Sequence, residues 1–236
     1  MNYPNLPKYI NVLLIFTVAN LAILATRNSI VGTVTFDFLK SNLWSGIVPF
    51  IIALVLQVAD KHINKFFFII GSLLWVLFYP NAPYMISDLI HVYEEPKDLV
   101  LKELIVHDTL IVFSIALLSV FYGFISVKIM FNLFLKRFGS VRAHSAIAFS
   151  LLLSCVGFYM GRELVSVIKI GNGYLYSSEI FSEPVYIIKT VWHALVPIHE
   201  HKSAYYMMGL FGFVQLQLLM MMRDVNDIED GKNNNT

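Results

Sequence analysis

The sequence predicts an all-α fold, a polytopic transmembrane helical bundle of about six spans plus one short interfacial or re-entrant helix. Three observations predict it. Apolar residues fill 57% of the 236 positions and charged ones only 14%, against about 25% charged in soluble domains. The mean hydropathy is +0.68, and a soluble fold of this size has too little interior to hide so much apolar surface. The apolar residues also come in runs long enough to cross hydrocarbon, because a helix rising about 1.5 Å per residue needs about 20 residues for about 30 Å.

Taken in order, five runs meet that length: Tyr9 to Ala25, Leu43 to Ala59, Ile63 to Tyr79, Leu110 to Phe134, and Ala146 to Met160 with its flanks. The first follows Lys8 and is long for the core of a signal peptide. It lacks a small-x-small cleavage site before Arg27, which predicts a retained helix. A sixth run, Ala204 to Met222, is Met-rich and apolar apart from Gln215 and Gln217. Both amides are expected to face other helices, since hydrocarbon offers them no partner. The segment between Pro184 and Pro197 holds about 12 residues and extends about 18 Å, too short to span. Lys189, Thr190 and His193 share one of its faces and Trp192 suits the headgroup boundary, which predicts the interfacial or re-entrant helix. Residues 1–222 thus form a single transmembrane domain, and 223–236 are expected to be a polar, disordered cytoplasmic tail.

Charge limits partners and sets orientation. The net charge of +1 gives no excess that would attract nucleic acid, so the lipid bilayer is the partner that composition implies. The single cysteine, Cys155, excludes a disulfide framework within the chain and a cysteine-based metal cluster. The stretch carrying Lys128, Lys136, Arg137 and Arg142 holds no acid, and the turn from Asp60 to Lys65 is also basic. Both are expected in the cytoplasm, with both termini, by the positive-inside bias. The loops 26–42, 80–109 and 161–203 then lie outside.

The polar residues that could carry chemistry gather at the end of the third run, in Pro80-Asn81-Ala82-Pro83-Tyr84 followed by Asp88 and His91. Pro80 is expected to stop the helix, and Asn81 to cap a new one with Pro83 in its first turn. Asp88 and His91, three apart, then share a face. Such a pair supplies two metal ligands, or a carboxylate that orients an imidazole for proton transfer. A divalent metal on Asp88 and His91 is an option short of a complete ligand set, since a catalytic zinc takes three protein ligands. His107 and Asp108, entering the fourth span, and Arg162 and Glu163, leaving the fifth, fall at the same expected level. Convergence of ionisable groups at membrane depth points to function; equally, charges at helix ends can simply cap and anchor. His199-Glu200-His201 reads as a solvated turn. No phosphate-binding glycine loop, Gly-x-Ser-x-Gly elbow or His-Glu-x-x-His occurs, which argues against nucleotide-driven transport, a serine hydrolase or a zincin. A clear helix break appears only at Pro80, whereas a transporter of inverted repeats would break helices in both halves.

Asn42 to Pro49, Trp75 to His91 and Gly157-Phe158-Tyr159-Met160-Gly161-Arg162 together resemble the DUF1361 family of bacterial integral membrane proteins, over about residues 40–220. The specific phrase is Pro-Asn-Ala-Pro-Tyr-x-x-x-Asp-Leu-x-His. The resemblance implies several spans in a bacterial cytoplasmic membrane and no assigned activity or cofactor. It implies that Asn81, Pro83, Tyr84, Asp88, His91, Asp108 and Arg162 occupy positions of the family pattern, while His107 stands where relatives more often carry an aromatic. After Gly161-Arg162, relatives show an Asn-Ser-Trp-Asp-like stretch before a proline. This chain has Asn172-Gly173-Tyr174 and then Ser177-Ser178-Glu179.

Two readings follow. In one, an outer-face enzyme acts on a lipid or lipid-linked substrate: Asp88 orients or binds, His91 shuttles a proton or holds a metal, Arg162 pairs an anionic headgroup, and Asn81, Tyr84, Asp108 and Glu163 position the substrate. In the other, a non-catalytic subunit, sensor or partner-binding protein uses the same polar groups as glue between spans.

Overall fold

In a computed structural model of the chain the described residues are 6–32, 34–94, 104–159 and 202–233, with four isolated positions between 185 and 196 and backbone alone from 221. The helices are α1 (Leu6–Val31), α2 (Phe38–Ala59), α3 (Lys65–Phe78), α4 (Asn81–Tyr84), a 3₁₀ segment (Met85–Ile90), α5 (His91–Glu94), α6 (Ile105–Phe138), α7 (Ser140–Tyr159) and α8 (Lys202–Asn233). No strand occurs among the described residues.

Among the described residues five stretches are long and apolar enough to cross a membrane: Pro7–Val31, Phe38–Ala59, Lys65–Tyr93, Ile105–Phe138 and Ser140–Tyr159. They cover the first five apolar runs save Ile63 and Asn64 at the start of the third and Met160, which lies outside the described residues, and the protein is a multi-pass membrane protein. The sixth run lies within α8, which continues to Asn233. The Pro184–Pro197 helix lies outside the described residues, save for the isolated positions.

Most helices overrun their apolar runs because a run marks the hydrocarbon crossing, whereas a helix ends where its terminal amides or carbonyls find other partners. At the start of α3 the Asn64 side chain accepts from the Phe67 N–H at 3.0 Å, an N-cap in extended conformation. After α1 and α6 the chain turns through Gly32 (φ +70°) and Gly139 (φ +83°), which L side chains rarely adopt.

Residues Met1–Ser150 and Leu151–Thr236 form two compact units. The first is built around α6, whose most apolar window is 67% buried against 17% for α1. Trp75 donates from Nε1 to Ser126 Oγ at 3.1 Å, Thr17 and Tyr122 share a hydroxyl hydrogen bond at 2.9 Å, and Phe68 meets Phe134 edge to face. Small residues bring the helices close. A Cβ on Gly123 would stand 2.7 Å from Ala82 Cβ, and one on Gly71 2.6 Å from Leu56 Cδ2. In the second unit, α7 meets α8 through the stacked rings of Phe158 and Phe211, and Ser154 donates to Gln215 Oε1 at 2.8 Å. Gln215 thus faces a neighbouring helix as expected, whereas Gln217 is exposed.

The chain does not stop and restart at Pro80. Tyr79, Pro80, Tyr84, Met85 and His91 all keep right-handed helical dihedrals, so α3, α4, the 3₁₀ segment and α5 form one helical path that tightens after Tyr84. The N-cap expected of Asn81 is therefore absent, because capping needs the extended backbone that Asn64 adopts. Prolines at 80 and 83 remove two amide donors, and the carbonyls around them find others: Asn81 Nδ2 donates back to Phe78 O at 3.1 Å and Ser119 Oγ donates to Ala82 O at 3.1 Å.

Candidate functional site

One end of the first unit collects the polar residues. The C-terminal end of α1 brings Arg27 and Asn28, the N-terminal end of α2 brings Asp37 and Asn42, the 3₁₀ segment and α5 bring Asp88 and His91, and the start of α6 brings His107 and Asp108. Asp88 is 1% exposed, and its Oδ2 accepts from Asn42 Nδ2 at 2.9 Å. His91 Nε2 lies 3.9 Å from Asp88 Oδ1 with its side chain 31% exposed, and its ring meets Phe38 edge to face at 4.9 Å. The tight 3₁₀ turn keeps the pair on one side of the path, and Asn42 fixes the carboxylate from the facing helix.

Asp108 is bound differently. Arg27 donates to it through Nε at 3.0 Å and one terminal nitrogen at 2.9 Å, a bidentate pair with both side chains at 0% exposure. The Arg27 guanidinium also lies over the Phe36 ring at 4.9 Å. His107 Nδ1 is 3.6 Å from Asp108 Oδ1 and half-exposed. Nearby, Asn28 donates to Asp37 Oδ1 at 2.9 Å. An open hollow of about 350 Å³ beside Arg27 is lined by Ala22, Ile23, Thr26, Arg27, Ile30 and His107. It does not reach Asp88 or His91, so it adds no reacting group to that pair.

The structure thus brings Asp88 and His91 together, as their spacing predicts, and ties Asp108 to Arg27. Asn81 turns its amide to Phe78 O, and Tyr84 is half-buried at the end of α4, where its carbonyl accepts from Ser87 Oγ at 2.7 Å. Arg162 and Glu163 lie outside the described residues. Among the described residues no three His, Cys, Asp or Glu side chains form a group able to hold a metal.

Sequence reasoning missed Arg27 and Asn42. Arg27 carried a signal: it precedes the end of an apolar helix by a full turn, with Ile30 and Val31 beyond it, and a cation so placed requires a counter-charge. Its partner lies 81 residues away, a distance no local pattern encodes. Asn42 carried no comparable signal.

The match that decides the family runs through this end of the molecule: the model of the family described as "Protein of unknown function (DUF1361)" fits residues 41–218. The chain belongs to the DUF1361 family. The matched stretch contains Asn42, Asp88, His91 and Asp108, while α1 with Arg27 precedes it. No curated protein and no solved structure matches the chain.

Proposed function

We propose that this DUF1361 protein acts at the outer face of a bacterial cytoplasmic membrane on a lipid or lipid-linked substrate, with Asp88 and His91 as its proton-handling pair. One observation carries the reading: a carboxylate 1% exposed and fixed by Asn42 stands beside an imidazole that keeps 31% of its side chain open. A buried carboxylate that orients a reachable histidine is what general acid–base catalysis requires. The position at the end of a transmembrane bundle favours a substrate held in the bilayer. Asn81, Tyr84 and Glu163 help to position that substrate, and Arg162 pairs its anionic group. Asp108, enclosed with Arg27, holds α1 in place. A metal on Asp88 and His91 would need at least one further protein ligand.

In a strain lacking the protein, Asp88→Asn and His91→Gln should accumulate in membranes at wild-type level and unfold at nearly the wild-type temperature, yet fail to restore growth or the wild-type lipid profile. Full restoration by both variants overturns the catalytic reading. A second reading, a non-catalytic subunit whose polar groups join the spans, is favoured by the complete enclosure of Arg27 and Asp108. It predicts that Asp88→Asn fails only by loss of folded protein.

A further inference from the structure

The end of the first unit opposite Asp88 and His91 is where α2 and α6 finish and α3 and α7 begin. Segments 60–65 and 128–144 bring Lys61, Lys65, Lys128, Lys136, Arg137 and Arg142 to it, with Asp60 alone opposing them. Asp60 engages Lys136 and Arg137. Lys61, Lys65, Lys128 and Arg142 are exposed, and among the described residues none of them meets a carboxylate. The other end shows no such surplus, since Arg27 pairs with Asp108 and Lys40 with Asp37.

Lys65 and Arg142 flank the turn between α6 and α7. Lys65 opens α3, and its Nζ lies 5.8 Å from the centre of the Phe138 ring. Phe138 ends α6, Gly139 turns the chain, and Arg142 stands in the first turn of α7. Lys61 precedes Lys65 in the α2–α3 connection, which Arg137 ties to α6 through the carbonyls of Asp60 and Ile63. The N-terminal ends of α3 and α7 add the positive ends of two helix dipoles. With 34 residues, α6 extends about 51 Å, about 20 Å more than the hydrocarbon it crosses, so its last turns stand among lipid headgroups. Phe66, Phe67 and Val141, next to these cations in sequence, are 66%, 58% and 80% exposed.

We propose that Lys65 and Arg142, with Lys61 beside them, hold the phosphate of an anionic phospholipid in the leaflet at this end. Arg142 offers a planar fork that matches a phosphodiester, and Lys65 a point charge steadied over the Phe138 ring. Apolar side chains exposed beside cations suit the boundary between headgroups and acyl chains, where one lipid meets both. A soluble anion would match the charge but gain nothing from Phe66, Phe67 and Val141.

The test uses the full chain in phosphatidylcholine vesicles with a trace of spin-labelled phosphatidylglycerol or spin-labelled phosphatidylcholine, and reads the protein-restricted fraction of each label. Wild type should prefer phosphatidylglycerol about threefold to tenfold at low salt, the range that one or two interfacial cations support, and the preference should shrink as salt is added. Lys65→Gln with Arg142→Gln should bring it below about twofold, while Lys65→Arg with Arg142→Lys and, at the other end, Lys40→Gln should keep it; all three proteins should remain monodisperse on gel filtration. Equal restriction of the two lipids by wild type, a preference that survives the double Gln variant, or an equal loss in Lys40→Gln would each overturn the proposal. So would displacement of phosphatidylglycerol by inorganic phosphate beyond the effect of chloride at equal ionic strength, which would mark a site for a soluble anion. A preference that emerges only once Asp224, Asp227, Glu229 and Asp230 are changed to their amides would assign the cations to the chain's own acidic tail and overturn it as well.

Discussion

The two ends of the first unit use the same device in different surroundings. At one end Arg27 grips Asp108 and lies over Phe36; at the other Arg137 grips Asp60, Nε to Oδ1 at 2.7 Å, and lies over Phe68 at 4.3 Å. The first pair is wholly enclosed. In the second, Arg137 is 18% exposed, Asp60 8%, and a further cation, Lys136, reaches Asp60 while 63% exposed itself. Arg137 also donates to the carbonyls of Asp60 at 2.6 Å and Ile63 at 3.3 Å, so it braces the α2–α3 turn. The difference teaches that distance alone does not measure an ion pair. The enclosed carboxylate leans on its bidentate arginine, with half-exposed His107 as a weaker neighbour, and a carboxylate beside water has alternatives.

The largest effect is therefore expected at Arg27. Arg27→Met takes from the enclosed Asp108 its bidentate partner and leaves the half-exposed His107 at 3.6 Å as a weaker neighbour, which should cost about 3–5 kcal/mol, whereas Arg27→Met with Asp108→Leu removes both charges and should recover most of that loss. Thermal unfolding in detergent measures both. A single variant as stable as wild type would mean that Asp108 finds another cation or a proton, and the contrast between the two ends would then vanish.

Arg137→Met sharpens the contrast from the other side. Lys136 and water remain near Asp60, so the ion-pair part of the loss should stay at about 1 kcal/mol or less. The two carbonyls that Arg137 also satisfies can turn to water at the turn. A loss as large as that of Arg27→Met would show that the brace across the turn, rather than the charge pair, dominates this end.

The same contrast explains what was legible in the sequence. Run lengths gave the spans, since hydrocarbon thickness is written in consecutive apolar residues, and the i,i+3 spacing gave Asp88 beside His91. The path through Pro80 was not legible. Two prolines in four residues read as a break, and what keeps the chain helical is Ser119, from a helix in another part of the sequence, together with the closeness that Gly123 permits. The Arg27–Asp108 pair was hidden for the same reason. Its members are ordinary helix-end charges until tertiary packing encloses them, and sequence spacing carries no burial.

The smallest expected effect is the pH response of Asp60. Burial pushes this carboxyl up, but the hydrogen bonds and charges of Lys136 and Arg137 outweigh it and hold the group below its usual value of 3.8. A carboxyl lowered in the folded state stabilises the fold above its unfolded value, and loses that contribution as pH falls through the folded one. Wild type should therefore exceed Asp60→Asn in stability by a constant margin from pH 7 to about pH 5, about 1 kcal/mol or less given the exposure of Lys136. The margin should close as the pH is taken below about 4, and added salt should narrow it at neutral pH. Unfolding temperatures of the two proteins across pH and salt give the answer. A margin that persisted unchanged to acid pH and high salt would mean that Asp60 contributes through packing and not through its charge, and the two ends of the bundle would then differ in kind as well as in exposure.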